Sequence, residues 1–208
     1  MNIFVQDSFT DVDGTLLSAH TPDIGGVWMR VSSFALGDAE VNTNELRRLG
    51  IGLARYVSLQ QTLLPNIDIS LTWVAGSSVE ISMGHEIQEG LGFTGYIARY
   101  DLDRYQIFVS PTVGASILLA ELVEAAPSLP TSFLLQFRQF GTPRLILTVG
   151  GIQKLSSNDR RVEQCFTVGL GLPTSTSRID NFLAIESPTF SVQYDSQLIR
   201  APDRVISY

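Results

Sequence analysis

The chain has 208 residues, 44% of them hydrophobic, and a formal net charge of −7. That hydrophobic share excludes a disordered chain. The acidic balance argues against general affinity for nucleic acid or for an anionic membrane surface. The length suits one β-rich unit with a core of its own, so residues 1–208 read as a single domain.

The first residues, "MNIFVQDSF", carry neither a basic region nor a long apolar run, so no secretory signal is expected. No stretch reaches the roughly 20 apolar residues of a membrane-spanning helix. These features predict a cytoplasmic origin and no membrane insertion. Next comes "FTDVDGTLLS", residues 9–18, where Asp11 and Asp13 stand in an Asp-x-Asp-Gly-Thr arrangement. The segment "NELRRLGIGLARY" spaces its leucines at near-helical intervals, but Gly50 and Gly52 each weaken a helix by about 1 kcal/mol, so it reads as loop, then strand. "SLQQTLLP" has room for one helical turn before Pro65.

From there strand signals dominate. "NIDISLTWV" puts Ile67, Ile69, Leu71 and Trp73 on one face and Asp68, Ser70 and Thr72 on the other. "TGYIARYDLDRYQIFVS" reads as a hairpin turning at residues 101–104. "TSFLLQFRQF" and "RLILTVGG", separated by "GTP", read as a second hairpin. "GGIQKLSSN" reads as turn-rich. "QCFTVGLGL" and "RIDNFLAIES" read as late strands joined by "PTSTS". Cys165, the only cysteine, falls in an alternating stretch and is expected as a packed thiol. One cysteine allows no disulfide framework and no thiolate metal cluster.

The Asp-x-Asp-Gly-Thr run matches the nucleophile motif of haloacid dehalogenase-type phosphatases. That chemistry needs an apolar parallel strand before the nucleophile, a lysine on the phosphate and downstream carboxylates for Mg²⁺. Here "QDSFT" precedes Asp11 and no βα alternation follows. The single lysine, Lys154, sits in the turn-rich segment. Without context a five-residue match carries little weight, and "DVDGT" reads as a turn made by side-chain-to-backbone bonds and a positive φ at glycine.

The longer pattern "DSFTDVDGTLLSAHTPDIGGVWMRVSS", with Asp7 and Phe9, residues 13–15, His20 and Pro22, then Gly25 and Trp28, resembles the opening of concanavalin A-like, laminin-G-like jelly-roll domains. Such domains occur in tailed-bacteriophage virion proteins and in bacterial surface and carbohydrate-active proteins. The later hairpins and the Ile-Asp-Asn-Phe run at residues 179–182 agree in order. The resemblance implies an all-β fold, a two-sheet antiparallel β-sandwich. It also implies that His20, Pro22 and Trp28 pack to pin the loop between the first strands.

Glycosidases of this fold carry paired carboxylates on one strand, close to Glu-x-Asp-x-x-Glu. Glu80 with Glu86, and Glu86 with Glu89, do not fit that pattern, and they read as solvated strand acids. His20 and His85 lack the spaced carboxylates of a zinc site. Many domains of the fold hold a structural Ca²⁺ where the first and last strands meet, which makes Asp7 and Asp180 the candidate metal ligands. Tyr100 and Tyr105 flank the residue 101–104 turn and are the candidate glycan-stacking rings. Trp73 shares the face of Ile69 and Leu71 and belongs in the core, and Tyr96 is a further aromatic candidate.

The resemblance points to a non-catalytic structural virion protein of a tailed bacteriophage, a capsid decoration or tail-associated protein assembled in the host cytoplasm. Its partners would be other virion proteins and further copies of itself. The alternative is a carbohydrate-binding module or adhesin for a cell-surface glycan. A third option, a hydrolase with a divergent site, needs two carboxylates about 5–10 Å apart on one face.

Overall fold

The structure is a computed structural model that describes residues 2–31, 38–62, 66–88, 92–113, 115–140 and 142–186, with 85–88, 92 and 93 described by backbone alone. In chain order the strands are β1 (Asn2–Asp7), β2 (Trp28–Arg30), β3 (Asp38–Asn42), β4 (Glu45–Leu49) and β5 (Ala54–Ser58). Then come β6 (Asn66–Ala75), β7 (Val79–Gln88), β8 (Gly92–Asp101), β9 (Arg104–Ser110) and β10 (Ile117–Val123). The last five are β11 (Thr131–Arg138), β12 (Leu145–Val149), β13 (Ile152–Ser157), β14 (Thr167–Leu172) and β15 (Arg178–Glu186). An eight-stranded sheet runs β13, β12, β11, β6, β15, β4, β3, with β1 also beside β15. A seven-stranded sheet runs β10, β9, β8, β7, β14, β5, β2. The two antiparallel sheets pack as a sandwich, the architecture that the sequence implies.

Alternation explains which side each residue takes. Ile67, Ile69, Leu71 and Trp73 of β6 are buried against the second sheet, and Phe133, Leu135 and Phe137 of β11 join them in the same core. Both expected hairpins form: β11 pairs β12, and β8 pairs β9 with Asp101 opposite Arg104. Leu102 and Asp103 at the β8–β9 turn have φ of 49° and 60°. Two consecutive left-handed residues match the right-handed twist of the flanking strands. Cys165 is buried, and burial pushes its thiol well above the usual range, which fits a packed side chain.

Two segments differ from expectation. Residues 45–58 form two strands, β4 and β5, which lie in different sheets. Gly50 and Gly52 between them adopt φ of 78° and 92°, so the chain turns where a helix would have continued. The segment "GGIQKLSSN" is mostly strand β13. Only Gly150 and Gly151 of that segment form the turn, both at positive φ. The helical turn before Pro65 falls partly outside the described residues.

The opening motif is a structural tie. Asp7 is fully buried at the end of β1. Its Oδ1 accepts the backbone N–H of Phe9 and the Nε2 of His20, both at 2.8 Å, and its Oδ2 accepts the Trp28 indole N–H at 2.6 Å. Trp28 lies in the other sheet and its ring meets Phe182 of β15 edge-on at 5.1 Å. The Asp13 carboxylate accepts the Thr43 N–H at 2.7 Å, and Gly14 has φ 91°, so "DVDGT" is the turn that the sequence indicates.

His20 bridges two carboxylates, with Nε2 on Asp7 and Nδ1 on Asp11 Oδ2 at 3.1 Å. A doubly protonated ring donates to both carboxylates, so the site favours the imidazolium. The hydrogen bond to Asp7 raises its pKa above the ordinary imidazole value of 6.5, against the opposing effect of burial. A folded pKa above the unfolded one contributes stability that is complete below 6.5 and is lost as pH rises through the folded value. Chemical denaturation followed from about pH 6 to about pH 9 should therefore show a loss of stability that His20→Gln flattens. Asp7→Asn should cost about 3 kcal/mol in the same assay, because it strips the buried imidazolium of its partner. An unchanged midpoint in Asp7→Asn would contradict the tie.

Candidate functional site

The seven-stranded sheet has two faces, and its outer one is not an ordinary solvated surface. Val79, Ile81 and Met83 of β7, Tyr96, Ala98 and Tyr100 of β8, and Ile107 of β9 face the sandwich core. The alternate residues form a separate apolar cluster of Val31, Val57 and Ile97, with Met29 and Phe108 packed on it. Strand register explains that cluster. Leu118, Phe108, Ile97, Ser82, Gly169, Val57 and Met29 stand opposite one another in one row across all seven strands. Within that row Ser82 is buried and its hydroxyl has no hydrogen-bond partner.

A polar row runs alongside. Glu121, Gln106, Arg99, Glu80, Gly171 and Arg55 pair in register across six strands. The Gln106 amide donates to Glu121 at 2.6 Å, and Arg99 Nε donates to the Gln106 carbonyl at 3.0 Å. Arg99 also lies over the Phe108 ring at 4.7 Å. Arg104 reaches Glu121 at 3.4 Å. At the other end Arg55 grips Glu80 with two bonds, of 2.5 and 2.8 Å. Glu80 is thus a buried, paired carboxylate, which corrects the expectation of a solvated strand acid. The side chains of His85 and Glu86, and all of Glu89, lie outside the described residues.

The absence of side chains at Gly169 and Gly171 of β14 makes these rows possible. A Cβ at Gly169 would sit 2.4 Å from the Tyr56 carbonyl oxygen and 2.6 Å from the Ser82 hydroxyl. A Cβ at Gly171 would meet the Glu80 carboxylate at 2.8 Å, so Glu80 crosses to Arg55 over a bare backbone.

Accessibility changes along the face. Val57, Ile97, Glu80, Ser82 and Gln106 are buried, Arg99 and Phe108 are half-buried, and Arg104 and Glu121 are exposed. The β8–β10 end is therefore where polar side chains already fixed by one another come nearest to solvent. A concavity of about 460 Å³ opens elsewhere, near β2 and β3, with Trp28 and Tyr56 in its wall and Arg30 and Asp38 beside them.

The residues predicted for ligand and metal lie elsewhere. Tyr100 and Tyr105 are fully buried on the core side, packed on each other at 4.8 Å, with Tyr100 also against Trp73 at 5.1 Å. They cannot stack on a sugar. Nearness to a turn suggested exposure, whereas the strand alternation points both rings inward. Tyr96 is buried as well, its hydroxyl on the Val162 carbonyl.

The first and last strands do pair, and the negative charge of Asp7 is near enough to help raise the Asp180 pKa, after burial, which is the main cause. Asp7 accepts from three nitrogen donors, and Asp180 accepts the Asn181 N–H on Oδ1 and the Asn181 amide on Oδ2, so both candidate metal ligands already hold hydrogen bonds. Among the described residues no group of three or more His, Cys, Asp or Glu is placed to share a metal. Asp11, the nucleophile of the phosphatase reading, is held by His20 and the Val12 N–H.

No protein-family model matches the chain, and no curated protein matches its sequence. Solved structures match its fold. The carbohydrate-binding module CBM66 from Bacillus subtilis is 18% identical with a TM-score of 0.58, over 77% of this chain and 95% of that one. The exoplasmic/lumenal domain of VIP36 in its Ca²⁺/mannose-bound form is 11% identical with a TM-score of 0.59, over 82% and 85%. The Emp46p carbohydrate recognition domain in its metal-free form is 9% identical with a TM-score of 0.56, over 77% and 88%. The fold is thus the concanavalin A-like jelly roll that the opening motif resembles.

Gly169→Ala tests the outer face directly. The added methyl group must displace backbone or the Ser82 hydroxyl, and overpacking of this kind costs about 1–3 kcal/mol. The expected result is a lower thermal midpoint. A midpoint equal to wild type would show that β14 tolerates a side chain.

Proposed function

We propose that the chain is a non-catalytic, lectin-like domain that binds a glycan at the β8–β10 end of the outer face of the seven-stranded sheet. The observation that carries this reading is the locked row Arg99, Gln106 and Glu121 beside the Phe108 ring. Planar guanidinium, amide and carboxylate groups suit the paired hydroxyls of a sugar. Their mutual bonds hold them in place before a ligand arrives, which lowers the ordering cost of binding. Phe108 and the exposed Leu118 offer apolar surface to the C–H side of a sugar ring.

The names of the structural neighbours support the same reading, since they include a carbohydrate-binding module, a mannose-bound domain and a carbohydrate recognition domain. They favour the carbohydrate-binding alternative over a structural virion role, for which none of these three speaks. Hydrolysis draws no support from the carboxylates of this face. Glu80 and Glu121 are three strand spacings apart, roughly 14 Å at about 4.8 Å each. Glycosidase pairs lie within about 10 Å.

A glycan array with the purified chain should show selective binding that survives EDTA, because the proposed site is built from Arg99, Gln106 and Glu121 tied to one another. Arg99→Ala and Gln106→Ala should each weaken a positive glycan about tenfold, the loss of one charged hydrogen bond or more. No binding to any glycan, or full binding by both variants, would refute the proposal.

A further inference from the structure

Taking a cation part-way out of water costs free energy unless acceptors replace the lost water. A guanidinium carries five N–H donors in one plane, so the oxygens around it show how far that demand is met. Every other described strand arginine has an oxygen at 3.8 Å or closer to a terminal nitrogen. On the seven-stranded sheet Arg30 has Asp38, Arg55 has Glu80 and Arg104 has Glu121. The strand arginines of the eight-stranded sheet likewise meet carboxylate or backbone carbonyl oxygens.

Arg99 differs. It is half-buried on β8, and among the described residues no carboxylate forms an ion pair with it, Asp101 two residues along the strand included. Glu80 stands directly opposite it in register, but both Glu80 oxygens are held by Arg55. Glu121 is held by Gln106 and Arg104. The hydrogen bond of Arg99 runs from Nε to the Gln106 carbonyl oxygen at 3.0 Å, and the guanidinium lies over the Phe108 ring at 4.7 Å. These two contacts fix the plane of the group. Nη1 and Nη2 are left without an acceptor among the described residues, and neither is shut off from solvent.

We propose that the sugar bound on this face is an acidic one, with its anionic group seated on the Nη1–Nη2 edge of Arg99. The inference rests on the glycan reading of the same site and narrows it to a chemical class. A carboxylate or a sulfate ester offers that edge two oxygens at once, and charge-assisted bonds are roughly twice as strong as neutral ones. A sugar hydroxyl offers one uncharged oxygen. An amino sugar fits worse, because its ammonium group needs a free carboxylate and both Glu80 and Glu121 are already taken. Gln106 is the positioning residue: its amide is held by Glu121, and its carbonyl oxygen in turn holds Arg99. The anion therefore meets a guanidinium that is already oriented, which lowers the ordering cost of the pair.

Binding of the full chain to oligouronates, sialylated oligosaccharides, sulfated oligosaccharides and neutral oligosaccharides of the same backbones tests it. The expected hits fall in the charged sets, and the set that binds tells a carboxylate from a sulfate. Methyl esterification of the bound carboxylate, or removal of the sulfate, should weaken wild-type binding about tenfold, with no change to the protein. Arg99→Gln should bind the charged ligand and its neutral counterpart equally, with a thermal midpoint to check that it folds. Arg160→Gln makes the same change in net charge on an exposed loop and should keep the preference. Neutral oligosaccharides that bind wild type as tightly as charged ones, and lose binding in Gln106→Ala, would leave the glycan reading standing and overturn the acidic one. A preference for the charged ligand that persists in Arg99→Gln would also overturn it. Binding to none of the four sets would remove both readings together.

Discussion

One buried carboxylate ties the sandwich together. Asp7 ends β1 in the eight-stranded sheet, yet its second oxygen is taken by the indole of Trp28 in the seven-stranded sheet. Its first oxygen holds the backbone at Phe9 and the ring of His20, which fixes the connection between the strands. A carboxylate removed from water is stable only when its lone pairs are filled by good donors. Here three nitrogen donors share its two oxygens, at the meeting point of the first and last strands.

With the two sheets held, strand register decides what the outer face carries. Alternation along each strand sends one set of side chains inward, and register lines up the other set across neighbours. The result is an apolar row beside a row of Arg, Gln and Glu. Gly169 and Gly171 sit where these rows cross β14, and their bare backbone lets Glu80 reach Arg55. Exposure rises toward β10, where Arg104 and Glu121 reach solvent. The site proposed there is held by its own hydrogen bonds and needs little reordering to receive a ligand.

Much of the fold was legible because the strongest signals are local. The alternation of β6 and the β8–β9 and β11–β12 hairpins are written in contiguous residues. The Asp7, His20 and Trp28 tie was legible only as a family-like pattern, since its members are far apart in sequence. The outer face was not legible. Its rows exist only after seven strands are set in register, and no single strand contains two members of the Arg99, Gln106 and Glu121 set. A hint was present in "TVGLGL", where alternate glycines in a strand signal close approach by neighbouring side chains. Tyr100 and Tyr105 were misplaced for the opposite reason. Their nearness to a turn outweighed the strand periodicity that sends both rings inward. β10 went unnoticed because "ILLAELV" does not alternate, as befits an edge strand with a bulge.

The most direct measurement of the central claim is an amide and side-chain chemical-shift map of the chain titrated with a glycan that it retains. The expected result is a contiguous set of shifted resonances at Arg99, Gln106, Phe108 and Glu121, including the Arg99 Nε and the Gln106 amide. Shifts confined to the concavity beside Arg30 and Asp38, or to the outer face of the eight-stranded sheet, would contradict the assignment of the site.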